Sequence, residues 1–287
     1  MAKNIKWIFL VLLALIWGSS FILIKKGLVG LNAYQLGSVR IICTAVFLLA
    51  IGFRTLPKIP GEKWKFIALT ALFGTFLPAY LFALAETQID SSISAVLNSL
   101  TPLNSLVLGV LVFSLPAKRN QIFGVAIGLV GSGLLILNGA VNHPEQRYSY
   151  AGFVLIATVC YALNVNLIKK YLSDLSPLTI STGNFTVMLL PALIILGCTD
   201  FLAVLPQAKV QHSILFVMVL AVVGTGLANI MFYKLIQISS PVFATSVTYL
   251  IPIVACFWGL LDNEFLTPVQ MVGAFIILVG VYLSAKK

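Results

Sequence analysis

A proline set deep inside a long apolar run constrains this chain more than any other feature, and it occurs twice. Asn98-Ser99-Leu100-Thr101-Pro102 lies in a run without charge from Ser91 to Ala117, and Thr248-Tyr249-Leu250-Ile251-Pro252 lies in another from Pro241 to Leu261. Proline has no N–H, so it interrupts a helix ladder and leaves a carbonyl without its usual partner. In hydrocarbon such a break is tolerated only where protein or a water-filled cavity covers it. Matched breaks in two halves of a chain therefore point to a site between those halves.

Composition agrees with a membrane setting. The chain is 60% hydrophobic and 9% charged, with a mean hydropathy of +1.06. A soluble protein could not hide that much apolar surface. The net charge of +10 does not indicate nucleic acid, because no basic cluster carries interleaved aromatics on a polar face. Cys43, Cys160, Cys198 and Cys256 fall in or beside apolar segments and are not spaced as ligand pairs, so no metal or cofactor is expected. Lys3 and Lys6 precede an apolar run without an A-x-A site, which reads as an uncleaved first helix.

Segments of about 20 residues, the length needed to cross hydrocarbon, fall at 5–24, 34–53, 64–84, 91–113, 120–139, 150–168, 177–198, 213–233, 241–261 and 267–285. The expected fold is an all-α integral membrane protein with ten transmembrane helices. With the N-terminus inside, cytoplasmic stretches hold Lys3, Lys6, Arg54, Lys58, Lys63, Lys65, Lys118, Arg119, Lys169, Lys170, Lys234, Lys286 and Lys287. The other side holds Lys25, Lys26, Arg147 and Lys209. This bias predicts both termini in the cytoplasm.

The chain also repeats itself. Gly74-Thr75-x-Leu77 returns as Gly224-Thr225-x-Leu227, followed by Phe82 with Phe232, Leu100 with Leu250, Pro102 with Pro252 and Gly109 with Gly259. Gln121, Gly124 and Gly131 match Gln270, Gly273 and Gly280, and Ile24-Lys25-Lys26 matches Ile168-Lys169-Lys170. The expected units are residues 1–142 and 143–287, each with five helices. An odd count makes the second unit enter the membrane from the opposite side, an inverted repeat suited to alternating access.

Trp17-Gly18-Ser19-Ser20-Phe21, then Lys25 and Arg40, resembles the opening signature of the EamA family of the drug/metabolite transporter superfamily. Tyr249-Leu250-x-Pro252, Glu264, Pro268-x-Gln270-x-x-Gly273 and Gly280 resemble its closing signature. The resemblance spans essentially the whole chain. It implies an exporter or exchanger of small metabolites, often amino acids, in the bacterial inner membrane. One departure is that the family's glutamate after the fourth helix is replaced by Ser114-Leu115-Pro116-Ala117. Glu264, its counterpart, is then expected to be a local cap or loop anchor.

Arg40 is the charge placed well inside a predicted span, on the order of 10 Å from its end at 1.5 Å per residue. It either snorkels or pairs with Glu86, or it contacts an anionic group of the substrate. Lys25, Lys26 and Lys234 read as interfacial anchors. No Asp, Glu or His lies near the middle of a span, which favours facilitated diffusion or exchange over carboxylate-based proton coupling. Both histidines, His143 and His212, fall in expected loops, and no nucleophile–base pair is visible, so the chain is not expected to be an enzyme.

The expected substrate-binding residues are Trp17, Arg40, Tyr80, Asn98, Tyr161, Asn229 and Tyr249, with Gly74, Pro102, Gly224 and Pro252 as hinges. Tyr161 matches Trp17 across the repeat. Gly124, Gly128 and Gly131 permit close helix packing, within one chain or across a homodimer. The expected partners are a small-molecule substrate and the lipid bilayer. The expected function is transport of amino acids or related metabolites by alternating access around a central cavity. The alternative is a channel or facilitator for a different metabolite or drug.

Overall fold

The computed structural model describes residues 2–113, 119–142, 145–239 and 241–285. His143, Lys118, Lys286, Lys287 and the Ser114–Ala117 stretch lie outside the described residues. Within them the chain is helical and has no strand. The helices, in order, are α1 (Ala2–Leu28), α2 (Ala33–Gly52), α3 (Trp64–Ala71), α4 (Leu77–Ala85), α5 (Ser91–Asn98), α6 (Thr101–Phe113), α7 (Arg119–Asn142) and α8 (Ala151–Tyr171). They continue with α9 (Pro177–Gly197), α10 (Phe201–Val204), α11 (Ala208–Val219), α12 (Ala228–Ile238), α13 (Pro241–Thr245), α14 (Ile251–Leu261) and α15 (Pro268–Ala285).

Among the described residues, nine helical segments are long and apolar enough to cross a membrane. The last expected segment becomes α15, whose apolar part Pro268–Gly280 is shorter than the other nine. His212, expected in a loop, lies in the early turns of α11 with its ring edge-on to Phe216 at 5.2 Å.

The expected interruptions take a particular form. Neither Pro102 nor Pro252 kinks a continuous helix. Each is the second residue of a new helix, α6 or α14, where a missing N–H has no helical partner to lose. The helix before each proline ends first. Thr101 Oγ1 donates to the Asn98 carbonyl at 2.8 Å, and Thr248 Oγ1 donates to the Thr245 carbonyl at 2.9 Å. Hydroxyls thus satisfy acceptors that the broken ladders leave behind. Gly74 and Gly224 occupy two π-helical stretches, Leu72–Phe76 and Leu220–Leu227. Such wide turns commonly mark functional places in a helix.

Packing is pairwise across the two halves of the sequence. α1 lies on α14 while α8 lies on α6, and α2 crosses α9. α7 and α15 form a seam of their own. There a Cβ on Gly131 would come within 2.8 Å of the Gly273 carbonyl oxygen, and one on Gly280 within 2.5 Å of the Gly128 nitrogen. The glycine stripe of α7 is therefore filled by this chain's own α15. The outward faces of these helices carry bare apolar side chains, such as Leu137 at 69% and Phe275 at 67% exposure. Such surfaces suit lipid and would be costly in water.

The seam makes a testable prediction. Gly131→Val drives side-chain atoms into the backbone of α15 and should cost about 1–3 kcal/mol. Gly133, whose added Cβ would meet nothing, is the control. Thermal unfolding in detergent should show Gly131→Val several degrees lower and Gly133→Ala at or above the parent.

Candidate functional site

The helix breaks and the two π-helical stretches converge on one cavity with about 930 Å³ of non-atom space, its open mouth included. Of the expected binding residues, Trp17, Arg40, Asn98, Tyr161 and Asn229 line it, as do Gly74 and Gly224. Pro102 and Pro252 stand behind the wall, where they start the helices that carry it.

Two expected residues are placed elsewhere. Tyr80 is buried between helices, its hydroxyl 2.9 Å from Ser38 Oγ and its ring against Gly37, where a Cβ would approach to 2.5 Å. Tyr249, half-buried, packs into the apolar core beside the cavity.

Aromatic rings build one part of the wall. Phe82 stacks on Tyr161 at 6.0 Å, and Trp17 meets Phe232 edge-on at 4.9 Å. Trp17 Nε1 donates to the Gly224 carbonyl at 3.0 Å, which ties α1 to the second π-helical stretch. A Cβ on Gly74 would come within 2.4 Å of the Asn164 side chain, so the glycine makes room for that amide.

Arg40 is the charged side chain on the wall among the described residues. Its Nε donates to Thr225 Oγ1 at 2.9 Å, and Thr225 in turn donates to the Leu220 carbonyl at 2.9 Å. No ion pair joins Arg40 to Glu86 among the described residues, although their spacing in sequence suggested one. Thr225 was legible only indirectly, through the repeated Gly-Thr pairs at 74–75 and 224–225.

A family model for EamA-like transporters matches residues 5–137 and 149–286. The chain belongs to this family. Over 282 residues it is 26% identical to a protein of Salmonella typhimurium named as a probable amino-acid metabolite efflux pump, covering 95% of this chain and 92% of that one. It is 29% identical to the inner membrane transporter YedA of Escherichia coli, itself uncharacterized, covering 94% and 87%. Protein PecM of Dickeya dadantii is 26% identical over 266 residues, covering 91% and 86%. A solved crystal structure shares the fold with a TM-score of 0.64 at 13% identity, covering 98% of this chain and 95% of that one. The EamA-like protein is a multi-pass membrane transporter and not an enzyme.

A charged cluster joins the turn after α14 to α1 and α5. α14 ends with Asn263 in the left-handed region, φ 61°. The Glu264 N–H then donates to the Gly259 carbonyl at 2.8 Å and the Asn263 N–H to Leu260 at 3.4 Å, a Schellman turn. This turn aims Glu264 at the first turn of α5. Its carboxylate accepts from the Ser91 and Ser92 N–H groups at 3.2 and 3.0 Å, and from their hydroxyls at 2.9 and 2.6 Å. A carboxylate at a helix N-terminus is favoured by orphan donors and by the dipole.

Lys25 Nζ completes the cluster, 2.8 Å from Glu264 and 2.7 Å from Asp262, and Lys26 also pairs with Asp262. Lys25 and Lys26 tie α1 to the turn before α15. The family motif around Gln270 has a similar local reason. Gln270 and Thr267 form a capping box at 2.9 and 3.1 Å that starts α15.

Burial alone would push the Glu264 carboxyl up, but Lys25 and Ser92 together hold it below its ordinary value of 4.5. A carboxyl depressed by folding adds stability in full above that value and loses it as pH falls through the lower folded value. Melting curves from neutral pH down to about 3 should therefore show an acid-labile component that Glu264→Gln lacks. Glu264→Ala leaves the α5 donors without their acceptor and Lys25 with Asp262 alone, and should cost about 1–3 kcal/mol.

Proposed function

We propose that the protein moves small carboxylate-bearing metabolites, amino acids or their relatives, across the bacterial inner membrane by alternating access. The observation that carries this reading is the cavity itself: one arginine with no carboxylate partner, amides at Asn98 and Asn229, and a wall of aromatic rings. Arg40 supplies charge-assisted donors for a carboxylate. The amide oxygens suit an ammonium group, and the rings accept apolar side chains or a cation over their faces.

On this reading the chain has ten spans, α15 being the last, arranged as two inverted five-helix repeats over residues 1–142 and 143–287. The reciprocal packing of α1 on α14 and of α8 on α6 supports it, as do the π-helical stretches at matching places. The Lys and Arg bias puts both termini in the cytoplasm and the Glu264 cluster on the outer side. Gly74 and Gly224, with the breaks before Pro102 and Pro252, give the bends about which the halves rock. The printed name of the Salmonella relative, an amino-acid metabolite efflux pump, agrees with this substrate class.

Counterflow in proteoliposomes tests the reading. Vesicles are preloaded with single unlabelled L-amino acids, and uptake of the labelled form is followed. Accelerated uptake is expected for a subset. Losing a hydrogen bond to a charged group costs about 1.5–3 kcal/mol, so Arg40→Gln should raise the half-saturation concentration about tenfold or more. Tyr249→Phe, at a residue outside the cavity lining, should change it little. Flat traces for every amino acid, with protein shown to be folded, would overturn the amino-acid assignment.

A further inference from the structure

Glu86 ends α4, just past the apolar span Gly61–Ala85. Its side chain is 8% exposed, yet neither carboxylate oxygen has a hydrogen-bond partner. No described lysine or arginine is ion-paired with it either. Lys25, the nearest candidate on the Glu264 side, is taken by Asp262 and Glu264. Buried acids are ordinarily satisfied, and an ionised one without partners is far costlier than its neutral form.

The groups around Glu86 come from several elements. Arg40 sits on α2, which packs on α4; its charge and that of Lys25 on α1 attract Glu86, and Glu264 repels it. Tyr161 on α8 lies close enough to Arg40 to interact with it electrostatically. On the Glu264 face, Glu86 lines a depression shared with Lys25, Asp90, Glu145 and Glu264.

We propose that Glu86 is a proton-binding site whose occupancy controls Arg40, so that a proton and the substrate's carboxylate bind together. This rests on the transport reading above. Ionised Glu86 draws on the positive charge of Arg40 and opposes a second carboxylate in the cavity. Protonated Glu86 leaves the guanidinium to the substrate. By reciprocity, a bound carboxylate neutralises Arg40, removes its attraction for ionised Glu86 and raises the proton affinity there. The electrostatics of the empty site already lean this way. Burial, and after it the charge of Glu264, hold the Glu86 carboxyl well above its ordinary value of 4.5, against the pull of Arg40 and Lys25.

Two measurements test the proposal. The first needs no substrate: infrared spectra of the purified protein at neutral pH should contain a protonated-carboxyl C=O band that Glu86→Gln removes. Its absence from the parent, or its persistence in the variant, would overturn the assignment. The second is counterflow of the labelled amino acid that exchanges fastest, repeated across pH. Above the Glu86 pKa the apparent affinity should fall about tenfold per pH unit, as for one linked proton. Glu86→Gln should keep high affinity with no such slope, and Glu86→Asp should retain the slope. A parent without the slope, or a Glu86→Gln variant that keeps it, would refute the coupling while leaving the transport reading intact. If no amino acid exchanges, the substrate reading fails and the infrared band still decides Glu86.

Discussion

In hydrocarbon no solvent repairs a broken backbone hydrogen bond, and the arrangement of this protein follows from that constraint. A straight apolar helix satisfies itself and carries no site. Each departure from regular helix here lies where other helices cover it: the π-helical stretches at Gly74 and Gly224, and the breaks before Pro102 and Pro252. The threonine hydroxyls and the Trp17 indole donate to carbonyls in these stretches. Irregular backbone and polar side chains are thus gathered in the same place, which is why the cavity is there.

Much of this was legible in the sequence, because apolar runs and misplaced prolines are strong one-dimensional signals. Nine apolar spans and the breaks lie where the spacing placed them, and five of the seven residues expected to bind line one cavity. Tyr80 and Tyr249 show the limit. Depth along a helix can be counted from the sequence, but the facing side depends on neighbours. Tyr80 turns to Ser38 and Gly37 because α2 packs there. The same blindness affected Lys25 and Lys26, whose partners lie more than two hundred residues away at Asp262 and Glu264.

The Glu264 cluster explains why one helix terminus can be charged and still closed. The Schellman turn at Asn263 fixes the direction of the carboxylate, and Gly259 leaves room for it, since a Cβ there would come within 2.0 Å of Ser92 Oγ. A local backbone feature therefore sets a contact between α1, α5 and the turn leading into α15. Glu264 and Asp262 with Lys25 and Lys26 hold these three elements together.

Arg40 and Glu86 were the pair a reader of the sequence would join, and the fold keeps them from forming an ion pair. Had they formed one, the cavity would be neutral and the acid satisfied, and neither group would have capacity left for a ligand. Held apart, each keeps an unmet requirement within reach of the other's field. The arginine has donors for an anion and the carboxyl has room for a proton, and filling one favours filling the other. Two groups that looked like a structural salt bridge in one dimension become, in three, a site whose two occupants arrive together.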